Sequence, residues 1–165
     1  MKRYSEELAL VNQFTREVPV NVELLAMSLG IDVVYSNLDN ETSGIIKKEK
    51  DGRFKIIVND NHPETRKRFT IAHELGHYFL HRHLIGNGIS DNCAYRSSTA
   101  GMYANTDIGR HEETEANRFA ATILMPYKAI KRLQEEERIN DPASIAQKLG
   151  VSKQAYCIRM GIQCD

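Results

Sequence analysis

Apolar residues recur at helical spacing from Ser5 to Arg16 and again from Val20 to Leu29, where Gly30 supplies a C-terminal stop. Three short runs rich in β-branched residues follow: Ile31 to Ser36, Ser43 to Lys48 and Arg53 to Asn59. Lys50-Asp51-Gly52 separates the last two as a hairpin turn would, so a small antiparallel sheet is expected. Pro63 opens a helical stretch reaching about His81, and a second runs from about His111 to Met125, where Pro126 blocks continuation. Leu84 to Arg110, between them, is rich in Gly, Ser, Asn and Thr and lacks periodicity, which reads as a functional loop or a disordered one. Tyr127 to Arg138 reads as a charged amphipathic helix, and Asp141 to Met160 as two short helices around Gly150-Val151-Ser152.

At 165 residues the chain suits one domain, 1–165, able to bury a core without staples. Twenty-two basic residues balance twenty-two acidic ones, and the charged runs mix both signs. No direct nucleic-acid partner is therefore expected. No run approaches the roughly 20 apolar residues of a membrane span, and Met1 to Leu10 lacks the apolar centre of a signal peptide. The expected location is the cytoplasm. Three cysteines, Cys93, Cys157 and Cys164, are odd in number and carry no C-x-x-C spacing, so neither a disulfide framework nor a cysteine zinc knuckle is expected.

The candidate chemistry lies in Ile71-Ala72-His73-Glu74-Leu75-Gly76-His77-Tyr78, an H-E-x-x-H pattern on a predicted helix. Residues four apart project from one helix face, so His73 and His77 can offer two imidazole nitrogens to a single Zn²⁺. Glu74 is one step round, where it would act as a general base toward water rather than as a ligand. Phe69, Ala72, Leu75, Gly76, Tyr78 and Phe79 form an apolar surface for packing. The competing reading is a pair of exposed histidines beside an ordinary glutamate; chance alone gives this pattern in only about one per cent or fewer of chains this long.

Catalytic zinc usually keeps three protein ligands and one open position. Glu113 is the best third candidate, since Glu113, Asn117 and Ala120 share one helical face, and Ala116 and Ala120 allow a close approach to the first helix. Asn117 could then hold the non-metal nitrogen of a ligating histidine. The same segment also reads as a solvated acidic helix start, because Glu112, Glu113 and Glu115 all suit the macrodipole. His83 is a rival, ten residues after His73 as in H-E-x-x-H-x-x-G-x-x-H enzymes. That pattern needs a glycine where this chain has Leu80, and nothing in Phe79 to Arg82 otherwise breaks the helix, so His83 would point away. His81, four past His77, is either a helix-end histidine or a group facing substrate. Tyr95 and Tyr103 in the long loop are possible oxyanion donors that no spacing selects. Ser144 to Met160 has a weak helix-turn-helix look with only Lys153 and Arg159 as cations on its second helix, which favours a packing role.

Arg68 to His81, then Glu113-x-Glu115-Ala116-Asn117-x-Phe119-Ala120-Ala121 leading to Leu124-Met125-Pro126, resembles the ImmA/IrrE family of bacterial and phage-associated metallo-endopeptidases. Looser similarity covers Val22 to Val33 and Leu149 to Ser152. The resemblance implies a gluzincin-like site with one Zn²⁺ per chain, ligands His73, His77 and Glu113, and Glu74 as base. It also implies a helix-turn-helix repressor or antitoxin as substrate, in a prophage, mobile element or stress response.

The expected fold is α+β and zincin-like: a small antiparallel sheet against the zinc helix, with further helices on the other side. Two functions of different class follow: a zinc endopeptidase cutting a regulatory protein, or a metal-stabilised module that engages a repressor without cleaving it. A metal hydrolase of non-peptide amides would use the same residues. Oligomeric state is not legible from the sequence.

Overall fold

The computed structural model describes residues 2–85, 89–92 and 108–164. Helix α1 (Lys2–Phe14) and helix α2 (Val22–Ser28) precede strands β1 (Ile31–Ser36), β2 (Thr42–Lys48) and β3 (Phe54–Asn59). Helix α3 (Glu64–Leu80) and a 3₁₀ turn (Arg82–Leu84) lead to β4 (Ile89–Asn92). Four helices close the chain: α4 (Arg110–Leu124), α5 (Tyr127–Glu135), α6 (Pro142–Leu149) and α7 (Lys153–Met160). The fold is α+β, as expected. Among the described residues no helix is long and apolar enough to cross a membrane.

Local chemistry sets several boundaries. Asn21 caps α2 by accepting from the Leu24 amide at 2.9 Å, and Asp141 caps α6 by accepting from the Ser144 amide at 2.8 Å. Pro63 and Pro126 stand at the N-cap positions of α3 and α5. Helix α5 stops at Glu135, short of the expected Arg138, whose φ of 57° lies in the left-handed region.

The sheet order is β1-β3-β2-β4. β2 pairs antiparallel with both β3 and β4, through Ile45 opposite Ile57 and Ile45 opposite Ser90. β1 pairs parallel with β3, in register from Ile31 opposite Phe54 to Ser36 opposite Asn59. The sheet is therefore mixed rather than wholly antiparallel. A hairpin turn specifies only the β2–β3 pair, whereas β1 reaches the free edge of β3 through the segment that links it to β2. β4 lies inside the stretch read as a structureless loop; the rest of that stretch, with Tyr95 and Tyr103, falls outside the described residues apart from its ends.

The core joins Leu25, Ile46, Ile56 and Val58 to Ile71, Leu75 and Tyr78 on α3 and to Leu124, Ile130 and Ile145 beyond it. Three polar clasps fix α3 in this core. Arg68 donates to the carbonyl of Gly150 at 3.0 Å and of Val20 at 2.8 Å, tying the α6–α7 turn and the segment before α2 to one guanidinium. Buried Glu7 of α1 accepts from the Tyr78 hydroxyl at 2.9 Å and from Arg82 at 2.7 Å, while Arg82 stacks on the Tyr78 ring at 3.7 Å. Arg66 donates to Ser43 Oγ at 3.1 and 2.7 Å, joining the start of α3 to β2.

Cys157 and Cys164 form a disulfide, against the sequence expectation. Gly161, left-handed at φ 67°, turns the chain back after α7 and brings Cys164, seven residues after Cys157, into reach of the helix. That spacing belongs to no recognisable motif, which is why the pairing could not be read in advance.

Candidate metal centre

Two close approaches build the site. Gly76 faces Ala116 of α4 so tightly that a Cβ at position 76 would lie 2.9 Å from the Ala116 Cα and 3.0 Å from its carbonyl oxygen. Gly44 of β2 faces α3 on another side, where a Cβ would meet Thr70 Cγ2 at 2.3 Å and stand 3.6 Å from Glu74 Oε1. The two glycines let a helix and a strand close on α3 around the H-E-x-x-H segment, and the residues between are sealed. His73 is 1% exposed, and Glu74 and His77 are 0% exposed. Burying so many ionisable groups is costly unless each is satisfied.

The acidic start of α4 divides its labour. Glu112 turns back to accept from the Gly109 amide at 2.8 Å, the capping role a solvated acidic start would have. Glu113 turns inward instead. Its Oε2 lies 3.2 Å from His73 Nε2 and its Oε1 3.4 Å from His77 Nε2, with the two Nε2 atoms 3.0 Å apart. His73, His77 and Glu113 thus form a group that could hold one metal ion. Three donors at roughly 2.0–2.2 Å from a tetrahedral Zn²⁺ would stand about 3.3–3.6 Å apart, so the two imidazoles and one oxygen of Glu113 would need to spread slightly to take up such an ion.

Protonation states agree with that use. Burial raises the pKa of Glu113, but hydrogen bonds from His73 and His77 outweigh it and hold the pKa down to about 2, so this residue is a carboxylate. Burial pushes the His77 pKa down against the pull of Glu113, leaving a neutral imidazole with a lone pair to give.

Each histidine is also held from behind. His73 Nδ1 lies 2.9 Å from Asn117 Oδ1, so that when a metal takes the place of the Nε2 proton facing Glu113, Nδ1–H donates to the amide oxygen and the Nε2 lone pair goes to the ion. His77 Nδ1 lies 3.1 Å from His81 Nδ1, and His81 Nε2 lies 3.0 Å from Glu115 Oε2. With His77 Nε2 reserved for a metal, only one proton arrangement satisfies this chain: His77 Nδ1–H donates to His81, and His81 Nε2–H donates to Glu115. The hydrogen bond from His81 keeps Glu115 below the usual carboxylate range, as an acceptor should be.

Of the sequence-selected residues, His73, His77, Glu113 and Asn117 are therefore brought together, and Glu74 is buried next to His73 along α3. His83 is not. It sits exposed in the 3₁₀ turn, and the reason differs from the one expected: α3 does not continue past it but ends at Leu80, with His81 as the C-cap at φ −125°. The His81–Glu115 pair was missed, with His81 buried rather than turned to substrate. Its signal was present in the chain, as a second i, i+4 step after His77 and an acidic residue two positions after Glu113.

A groove of about 880 Å³ runs from Glu113 and Asn117 between α3, α4 and α7.

A family model described as the IrrE N-terminal-like domain, a peptidase family, matches residues 26–160. The chain belongs to this family. Its match takes in both α3 and α4, and so both halves of the centre. Family membership supports a metallopeptidase. No curated protein matches the chain. Among solved structures, a Mycobacterium tuberculosis transcriptional regulator is similar in fold, with a TM-score of 0.62 and 20% identity over 94% of this chain. The chain spans about half the length of that protein, 46% of it.

Proposed function

We propose that this chain is a zinc-dependent endopeptidase that hydrolyses a peptide bond in a regulatory protein, a helix-turn-helix repressor or antitoxin. One observation carries the reading: among the described residues the donor group stops at three, and a glutamate, Glu74, is buried beside it on the same helix. A metal held only for structure is closed by four protein ligands and has no use for a base next to a vacant position. Two imidazoles and a carboxylate are the donors of hydrolytic zinc sites, and Zn²⁺ so held would supply Lewis acidity that polarises a carbonyl and makes water easier to deprotonate.

The chain's own residues do the rest. His73 and His77 present Nε2, with tautomers fixed by Asn117 and by the His81–Glu115 pair. Glu113 brings negative charge. Glu74 takes a proton from the attacking water and passes it to the leaving amide nitrogen. A regulatory substrate of this kind would place the protein in a bacterial cytoplasm, in a prophage or other mobile element; the Cys157–Cys164 disulfide counts against that compartment, because such bonds are rare where thiols are kept reduced.

A second reading, a module that engages a regulator without cutting it, draws support from the similar fold within a transcriptional regulator. Incubating the zinc-loaded protein with helix-turn-helix regulators encoded beside its gene, with intact-mass detection, separates the two. Two fragments that sum to the parent plus one water support cleavage. Regulators that bind yet stay intact support the module, and free digestion of unfolded casein with intact regulators overturns the substrate class.

A further inference from the structure

Three arginines reach the groove beside the metal centre, one from each wall. Arg66 comes from α3, Arg118 from α4 and Arg159 from α7. Two are held in place: Arg66 by Ser43 Oγ, and Arg159 by stacking on the Tyr127 ring at 4.3 Å. Arg118 is exposed and has no ion-pair partner among the described residues. Among the described residues that line the groove Glu113 is the one carboxylate, and its charge is committed to the metal site. In a chain of zero formal net charge, this local excess of cations is a property of the groove rather than of the surface at large. The floor is apolar, with Phe69, Met125 and Ile158, the last 73% exposed.

We propose that this groove receives an acidic segment of the substrate chain, with carboxylate side chains meeting Arg118, Arg159 and Arg66 while apolar neighbours cover the floor. The inference rests on the peptidase reading for its direction, since the groove opens at Glu113, and it names a specificity that reading leaves open. Guanidinium pairs with carboxylates through two parallel hydrogen bonds, and such bonds in a partly desolvated groove discriminate strongly between acidic and basic residues. The volume suits several residues of extended peptide. A nucleic-acid duplex is too wide for a concave site of this size and would need a broad basic face rather than three cations around an apolar floor.

The test separates binding from cleavage. Zinc-loaded Glu74→Gln protein is titrated with two short dye-labelled peptides that share apolar residues but carry glutamates in one and lysines in the other, read by fluorescence anisotropy. The acidic peptide should bind roughly tenfold or more tightly, and added salt should shrink the difference. An Arg118→Glu/Arg159→Glu double variant should reverse the preference, a gain toward the lysine peptide that a misfolded protein cannot produce. Arg118→Glu alone, on the exposed face of α4, should narrow the preference. Equal binding of both peptides, an unchanged preference in the variants, or displacement of the acidic peptide by duplex DNA at physiological salt would overturn the proposal. Wild-type protein exposed to the same acidic peptide reports on the other question: a peptide that binds with the predicted preference but is never cut leaves the groove standing and removes the peptidase reading.

Discussion

Replacing Gly76 with alanine should destabilise the protein although alanine is the better helix former. Within a helix the exchange favours folding by about 0.8–1.0 kcal/mol through backbone entropy. Against that, the new Cβ would stand 2.9 Å from Ala116 Cα and 3.2 Å from Ala116 Cβ, where non-bonded carbons prefer about 3.5–4.0 Å. The atoms it meets first are backbone, so no side chain can swing aside, and α3 and α4 must part by about half an ångström or more. Overpacking of this kind costs about 1–3 kcal/mol, leaving a net loss of about 1 kcal/mol. The same parting carries Glu113, three residues before Ala116 on α4, away from both imidazoles. Zinc affinity should fall roughly tenfold or more, as it does when a site's supporting contacts are disturbed. Urea denaturation of the metal-free protein measures the first effect and competition with a chromophoric chelator the second. A variant more stable by about 1 kcal/mol with unchanged zinc affinity would show propensity acting alone and would refute the close crossing.

Asn117→Ala and His81→Ala should each weaken zinc binding by roughly 10–100-fold, because each frees one ligating imidazole to turn or change tautomer; affinity within a factor of two of wild type in both would remove their orienting role. Glu113→Ala should reduce bound zinc and abolish cleavage, whereas exposed His83→Ala should leave both nearly intact; metal analysis after dialysis with the opposite pattern would move the third ligand to His83.

Much of this was legible because it is local. Prolines at 63 and 126 and the glycines at 30 and 150 mark helix ends by removing a donor or permitting a left-handed residue, which depends on no distant partner. The i, i+4 spacing of His73 and His77 places two imidazoles together on any helix, and the small residues of α4 announce a close crossing. The failures are those of long-range or borderline features. β4 offers one apolar side chain in Ile89–Asn92, so its strand character comes from pairing with β2 and not from its own pattern. The parallel β1–β3 pair carries no turn signal. The end of α3 at Leu80 is stabilised by Arg82 binding Glu7 on a helix some seventy residues earlier, which no local propensity reports. His81 does stand at the end of α3, one of the two readings its position allows, but its link to the site depends on Glu115 arriving from another helix.

The central claim, that Glu74 is the base of a zinc peptidase, is tested most directly by comparing zinc-loaded wild type with Glu74→Gln on one peptide substrate. The substitution keeps the shape and removes the proton acceptor. Both proteins should carry about one zinc per chain, and the variant should turn over the peptide roughly 10²–10⁴-fold more slowly. Equal turnover by the two zinc-loaded proteins would contradict the account.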